Sequence, residues 1–198
     1  MRRITAPVLA PMVVFLALTV VWAGPAGAGA VKSQIAPQLS FFSAVQGGDL
    51  NGMKAALNRG VNPNATDDQG KTALIYAAVG GNADIVKELL SDGARVDLRD
   101  DVGNTPLIWA AETDQPDIAA ILIEAGAGLD DQNKQGQTPL IKAAQRGSRE
   151  MLRLLIDKGA DLNKADYTGR TALDWGKAAN KRSSVEVLSK AAENAAKK

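Results

Sequence analysis

Three pairs of adjacent carboxylates, Asp67-Asp68, Asp100-Asp101 and Asp130-Asp131, are the residues of this chain best suited by type to acid–base work. Paired acids can divide that work, one protonated and one ionised. A second arrangement imitates a calcium loop. In Asp131-Gln132-Asn133-Lys134-Gln135-Gly136, oxygen-bearing side chains stand first, third and fifth, with glycine sixth. The twelfth place, where such a loop needs a bidentate Glu, holds Lys142. The first two acid pairs occupy equivalent points of a repeating turn, where Asp is favoured because its side chain bonds nearby backbone. The acids therefore read as turn residues, and the loop as a near miss. The chain has no Cys and no His. Those absences remove disulfides, thiolate nucleophiles, imidazole bases and nearly every zinc, copper or haem ligand set. No catalytic residue, cofactor site or metal site is predicted, and no enzyme activity.

The elements that carry these turns repeat. Thr72, Thr105, Thr138 and Thr171 are spaced by 33 residues, each inside one recurring phrase. Its copies are Gly70-Lys71-Thr72-Ala73-Leu74, Gly103-Asn104-Thr105-Pro106-Leu107, Gly136-Gln137-Thr138-Pro139-Leu140 and Gly169-Arg170-Thr171-Ala172-Leu173. Gly60, Gly93, Gly126 and Gly159 keep the same period, in phrases such as Asp92-Gly93-Ala94-Arg95-Val96-Asp97. Thr before Pro or Ala predicts an N-cap followed by the first helical residue. Ala77-Ala78, Ala110-Ala111 and Ala143-Ala144 give the first helix a small face for close packing, and a break follows at Gly80-Gly81, Asp114 or Gly147. Asp84, Asp117 and Glu150 then favour the start of a second helix against its dipole. Leu89-Leu90, Leu122-Ile123 and Leu155-Ile156 predict its buried stripe. The closing glycine is a left-handed stop. Only eight residues are aromatic in a chain that is 45% hydrophobic, and Ala and Leu make up the difference, as suits packed helices.

These phrases resemble the T-P-L and G-A-D-V-N signatures of the ankyrin repeat. The resemblance implies an all-α solenoid of five helix-turn-helix repeats with β-turns between them, at residues 34–66, 67–99, 100–132, 133–165 and 166–198. The first and fifth are expected to be degenerate caps. Phe41, Phe42, Ala44 and Val45 stand for the first helix of the opening repeat, and Met53, Ala56 and Leu57 for its second. In the fifth repeat Gly176-Lys177 replaces the Ala-Ala pair, Asn180 takes the break position and Ala192 the glycine. The family's T-P-L-H histidine position holds Ile75, Ile108, Ile141 and Asp174, and for the three isoleucines burial is expected where the family has a polar link. Tyr76, Trp109 and Trp175, one residue further along, are read as core packing in preference to an exposed aromatic stripe.

Residues 1–30 read as an export signal. Arg2 and Arg3 precede an apolar run of about sixteen residues from Val8 to Ala23, broken by Pro11 and Thr19. Ala26-Gly27-Ala28 and Ala28-Gly29-Ala30 are A-x-A cleavage sites, so processing is expected near residue 28 or 30. The alternative is an uncleaved anchor in the inner membrane, although a span usually needs about twenty apolar residues. Removal of the leader leaves 21 basic and 22 acidic residues, which gives no pull toward nucleic acid or anionic lipid. The leader and the cysteine-free body point to a bacterial periplasm. Asn64-Ala65-Thr66 is a formal glycosylation sequon of low information.

The repeats account for residues 34–198 and leave no stretch of this chain for an appended enzyme. The resemblance implies a non-catalytic protein–protein interaction module that binds through the concave face of the stack. Carried onto this chain, the contact positions are Asp68, Gln69, Lys71, Val79 and Arg99 in the second repeat. Asp101, Val102, Asn104, Glu112, Thr113 and Gln132 stand in the third. The fourth supplies Lys134, Gln135, Gln137, Gln145 and Arg146, and the fifth Tyr167, Thr168 and Arg170. Tyr167, Arg146 and Arg170 lead, since Tyr and Arg are enriched at interface hot spots. The expected partner is a periplasmic or envelope protein, with the chain itself a monomer without a membrane span in its mature form. The alternative is an immunity or inhibitor protein that neutralises a toxin enzyme in the periplasm.

Overall fold

The computed structural model describes residues 38–197, so the export signal and its cleavage sites lie outside the described residues. The described chain forms five helix pairs: α1 (38–46) with α2 (Leu50–Asn58), α3 (Ala73–Gly80) with α4 (Ala83–Ser91), α5 (Pro106–Thr113) with α6 (Pro116–Glu124), α7 (Pro139–Arg146) with α8 (Arg149–Asp157), and α9 (Ala172–Ala178) with α10 (Arg182–Ala195). No helix among them is long and apolar enough to cross a membrane.

Each start and stop has a local chemical cause. The hydroxyls of Thr72, Thr105, Thr138 and Thr171 accept the N–H three residues on, at Ile75, Ile108, Ile141 and Asp174. Asp174 returns the bond to the Thr171 N–H, a reciprocal cap. The first helices end in left-handed residues: Gly81, Asp114, Gly147 and Asn180, the last three at φ 60°, 89° and 54°. Asp114 and Asn180 are the only non-glycine residues at positive φ among those described, the residue types that tolerate this conformation. Asp84, Asp117 and Glu150 sit in the first turns of α4, α6 and α8, and Pro116 opens α6. Ala192 offers no left-handed stop, and α10 runs on to Ala195, 14 residues against the nine of α8.

The first helices stack in succession, α3 on α5, α5 on α7 and α7 on α9, while α4, α6, α8 and α10 form a second layer behind them. Ala77, Ala78, Ala110, Ala111, Ala143 and Ala144 are fully buried at these contacts. Ile75, Ile108 and Ile141 are also fully buried, so burial does replace the polar link at that position. The second-layer stripe departs from the expected pairs. Leu89, Leu122 and Leu155 are buried, but Leu90, Ile123 and Ile156 are half-buried. The buried partners are instead Ile85 and Val86, Ile118 and Ala119, and Met151 and Leu152. A helix of 3.6 residues per turn carries its face to i−3 and i−4, not to the adjacent residue.

A candidate binding face at the turn tips

Between the helix pairs the chain makes hairpin-like turns that present their tips beside the first helices. In the second repeat the Asp67 N–H donates to the Lys71 carbonyl and the Gly70 N–H to the Asp67 carbonyl. Neighbouring tips are joined edge to edge. The Asp101 N–H donates to the Gln69 carbonyl at 3.0 Å, Lys134 to Val102 at 3.1 Å and Tyr167 to Gln135 at 3.2 Å. One backbone bond per junction thus fixes the spacing of every side chain displayed along this edge.

The first residue of each turn, Asp67, Asp100, Asn133 or Asp166, organises the tip. Its Oδ1 accepts the N–H two and four residues ahead in all four copies. In three copies Oδ2 also accepts a polar ring group nine residues on: the Tyr76 hydroxyl, and the indole N–H of Trp109 and Trp175 at 2.7 Å each. Tyr76 and Trp175 pack against the core as expected, and all three rings also bond the turn. They are partly exposed struts, tying the first helix to the turn in front of it. The fourth repeat departs at both ends together. Lys142 replaces the ring and pairs with Glu112 at 3.3 Å, and Asn133 donates to Asn104 Oδ1 at 2.8 Å.

Burial opposes ionisation of Asp67, but the Tyr76 hydroxyl and the N–H groups of Lys71 and Gln69 outweigh it and hold the carboxyl below its usual range. Burial and the bond to Asp67 push Tyr76 up to about 12. Asp166 is lowered in the same way, against its own burial, by the Thr168 hydroxyl and the Trp175 indole. A carboxyl lowered on folding adds stability above its unfolded value near 3.8 and loses it as pH falls through the folded one. Urea midpoints should hold level from neutral pH to about 4 and drop below it. Asp166→Asn should flatten part of that drop. An acid limb identical to that of the unaltered chain would mean that Asp166 does not carry this effect.

Of the positions carried over from sequence, most lie along this edge. Asp68, Gln69, Asp101, Lys134, Arg146, Tyr167 and Arg170 are exposed or partly so, while Lys71, Glu112, Gln137 and Gln145 are half-buried. Three are committed elsewhere. Asn104 is only 4% exposed, and its side-chain oxygen accepts from Asn133, so it is closed to a partner. Arg99 is committed between repeats: its guanidinium donates to Asp131 and to the Gln132 carbonyl at 2.6 Å each, and to the Gly103 carbonyl at 3.3 Å. Gln132 repeats the device one unit on, donating to the carbonyls of Gly136 and Ala165. Asn64 likewise spends its side chain on Gly93 and Arg95 of the next loop. The side chains of Asp131, Gln132 and Asn133 are spent on bonds within and between turns, and no group of acids able to hold a metal ion occurs among the described residues.

A family model described as ankyrin repeats in three copies matches residues 41–133 and 125–198. The chain belongs to the ankyrin-repeat family. Comparison with curated proteins gave no match. Ankyrin repeats are in general interaction modules without catalysis of their own. The turn tips and first helices of this ankyrin stack present exposed side chains, as do its second-layer helices. The struts were not foreseen from sequence, although the joint change at Asn133 and Lys142 is a visible signal for them.

Proposed function

We propose that this ankyrin-repeat protein is exported to the periplasm and there binds a partner protein through the turn tips and first helices. One observation carries the reading. Among the described residues three large apolar side chains are exposed, and two of them, Val102 at 46% and Tyr167 at 72%, stand at turn tips. Exposed aromatic and apolar groups flanked by polar ones are the usual anchors of an interface. Around them Asp68, Asp101, Lys134 and Arg146 make no ion pair among the described residues. The acids Asp68 and Asp101 stand at the tips of the second and third repeats, and the bases Lys134, Arg146 and Arg170 at the fourth and fifth. The export part rests on Arg2 and Arg3, the apolar run after them, and the two A-x-A sites.

Affinity capture from envelope extract tests both parts, with the full chain as bait against a second bait carrying Arg146→Glu and Tyr167→Ala. The partner should be retained by the first bait and lost from the second, with circular dichroism unchanged. Equal recovery by both baits contradicts the face. Export predicts a mature N-terminus near residue 29 or 31 in the periplasmic fraction. An intact Met1 in the cytosol contradicts it.

A further inference from the structure

At the Asp68 and Asp101 end of the turn edge lies a cavity of about 340 Å³ between the second and third repeats. Its lining includes Asp68, Lys71, Asp100, Asp101, Val102 and Trp109. Trp109 is fixed there by its indole bond to Asp100. Asp100 is buried and occupied by that bond and by two backbone N–H groups. The carboxylates of the pocket left to meet an incoming group are therefore those of Asp68 and Asp101, which make no ion pair among the described residues. Val102 adds an exposed apolar wall. The chain itself shows what the pocket attracts. The Lys71 ammonium, with no ion pair of its own among the described residues, stands 4.8 Å from the centre of the Trp109 ring and 5.8 Å from that of Tyr76.

Resting on the partner reading above, we infer that this pocket receives an arginine side chain of the bound protein, and that Lys71 is its placeholder. A guanidinium suits the lining better than an ammonium. Its flat face stacks on an indole, its edge donates to carboxylates on either side, and its aliphatic stem covers an apolar wall such as Val102. The opposite end of the edge, with Lys134, Arg146 and Arg170, repels such a group. The arginine thereby sets the direction in which the partner lies along the stack. Lys71 is then a competitor for the aromatic face in place of a contact for the partner.

The test is titration of the full chain with the peptide acetyl-Ala-Arg-Ala-amide, monitored at the indole N–H resonance of Trp109, assigned with Trp109→Phe. The glutamate peptide of the same form is the control. The arginine peptide should move the resonance saturably and the glutamate peptide should not. Asp68→Asn with Asp101→Asn should weaken the response by about fivefold, in keeping with two exposed charge contacts, with the thermal melt unchanged. Lys71→Ala should tighten it. An unmoved resonance, an equal response to glutamate, or undiminished binding by the double variant overturns the inference. If Tyr167-dependent capture persists while the arginine response fails, the proposed function stands and this pocket does not. The reverse pattern keeps the pocket and removes the partner reading.

Discussion

Ile108→Ala is expected to lower the stability of the stack by about 3–4 kcal/mol, toward the upper range for truncating a buried isoleucine. Ile108 is fully buried on α5, the middle first helix, which packs on α3 before it and on α7 after it. The alanines beside it, Ala110 and Ala111, are already packed to zero exposure and have no longer side chain with which to fill a void. Ile108→Val should cost only about 1 kcal/mol. Because each repeat touches only its neighbours, weakening the central one also weakens the coupling between the two ends. Urea unfolding of the Ala variant should therefore broaden as well as shift. A loss under about 1 kcal/mol would show that this position does not carry the packing assigned to it.

Gly136→Ala should cost about 2–4 kcal/mol, and Gly169→Ala, the same turn position one repeat later, only about 1–2. Both glycines are left-handed, at φ 78° and 80°, so any side chain is strained at either. The two differ in whether another turn stacks against them. A methyl on Gly136 would come within 2.6 Å of the Tyr167 backbone nitrogen, while Gly169 has nothing within 4 Å. Tyr167 N–H is the donor of the bond that joins these two tips. Gly136→Ala should thus also displace Tyr167 and weaken partner capture, while Gly169→Ala leaves capture intact. Equal stability losses in the two variants would mean that the tips are not held edge to edge. Paired thermal melts decide the point.

Much of this architecture was legible because each device sits in one short phrase. Thr before Pro or Ala marks a cap and glycine at a fixed offset marks a left-handed stop, and both are set by neighbours a few residues away. The buried isoleucines were legible for the same reason, as apolar residues at one place in the period. What escaped depends on contacts between units. Arg99 and Gln132 look like surface residues, yet each reaches carbonyls on two successive turns. Asn104 stands beside a glycine in an exposed-looking turn, yet its side chain is tied to Asn133 of the next repeat and buried. Ring size spoke for the core contacts that Tyr76 and Trp175 make, but not for the bond from each polar ring end to a carboxylate nine residues earlier. For the binding face, sequence supplied the row of positions. The three-dimensional arrangement removed those already committed to neighbouring repeats and left Tyr167, Val102, Arg146 and the acids Asp68 and Asp101 with charge or apolar surface to offer.

The central claim, that a partner protein docks on the turn-tip edge, is tested most directly by a photo-crosslinking residue placed in living cells at Tyr167, and separately at Lys87 and Arg153. The latter two are exposed on the second-layer helices α4 and α8. The crosslinker at 167 should yield a discrete adduct with a single envelope protein, suppressed by Arg146→Glu, and the two second-layer positions should yield none. An adduct of the same mass from Lys87 or Arg153, or its persistence at 167 in the Arg146→Glu background, would contradict the assignment of this face.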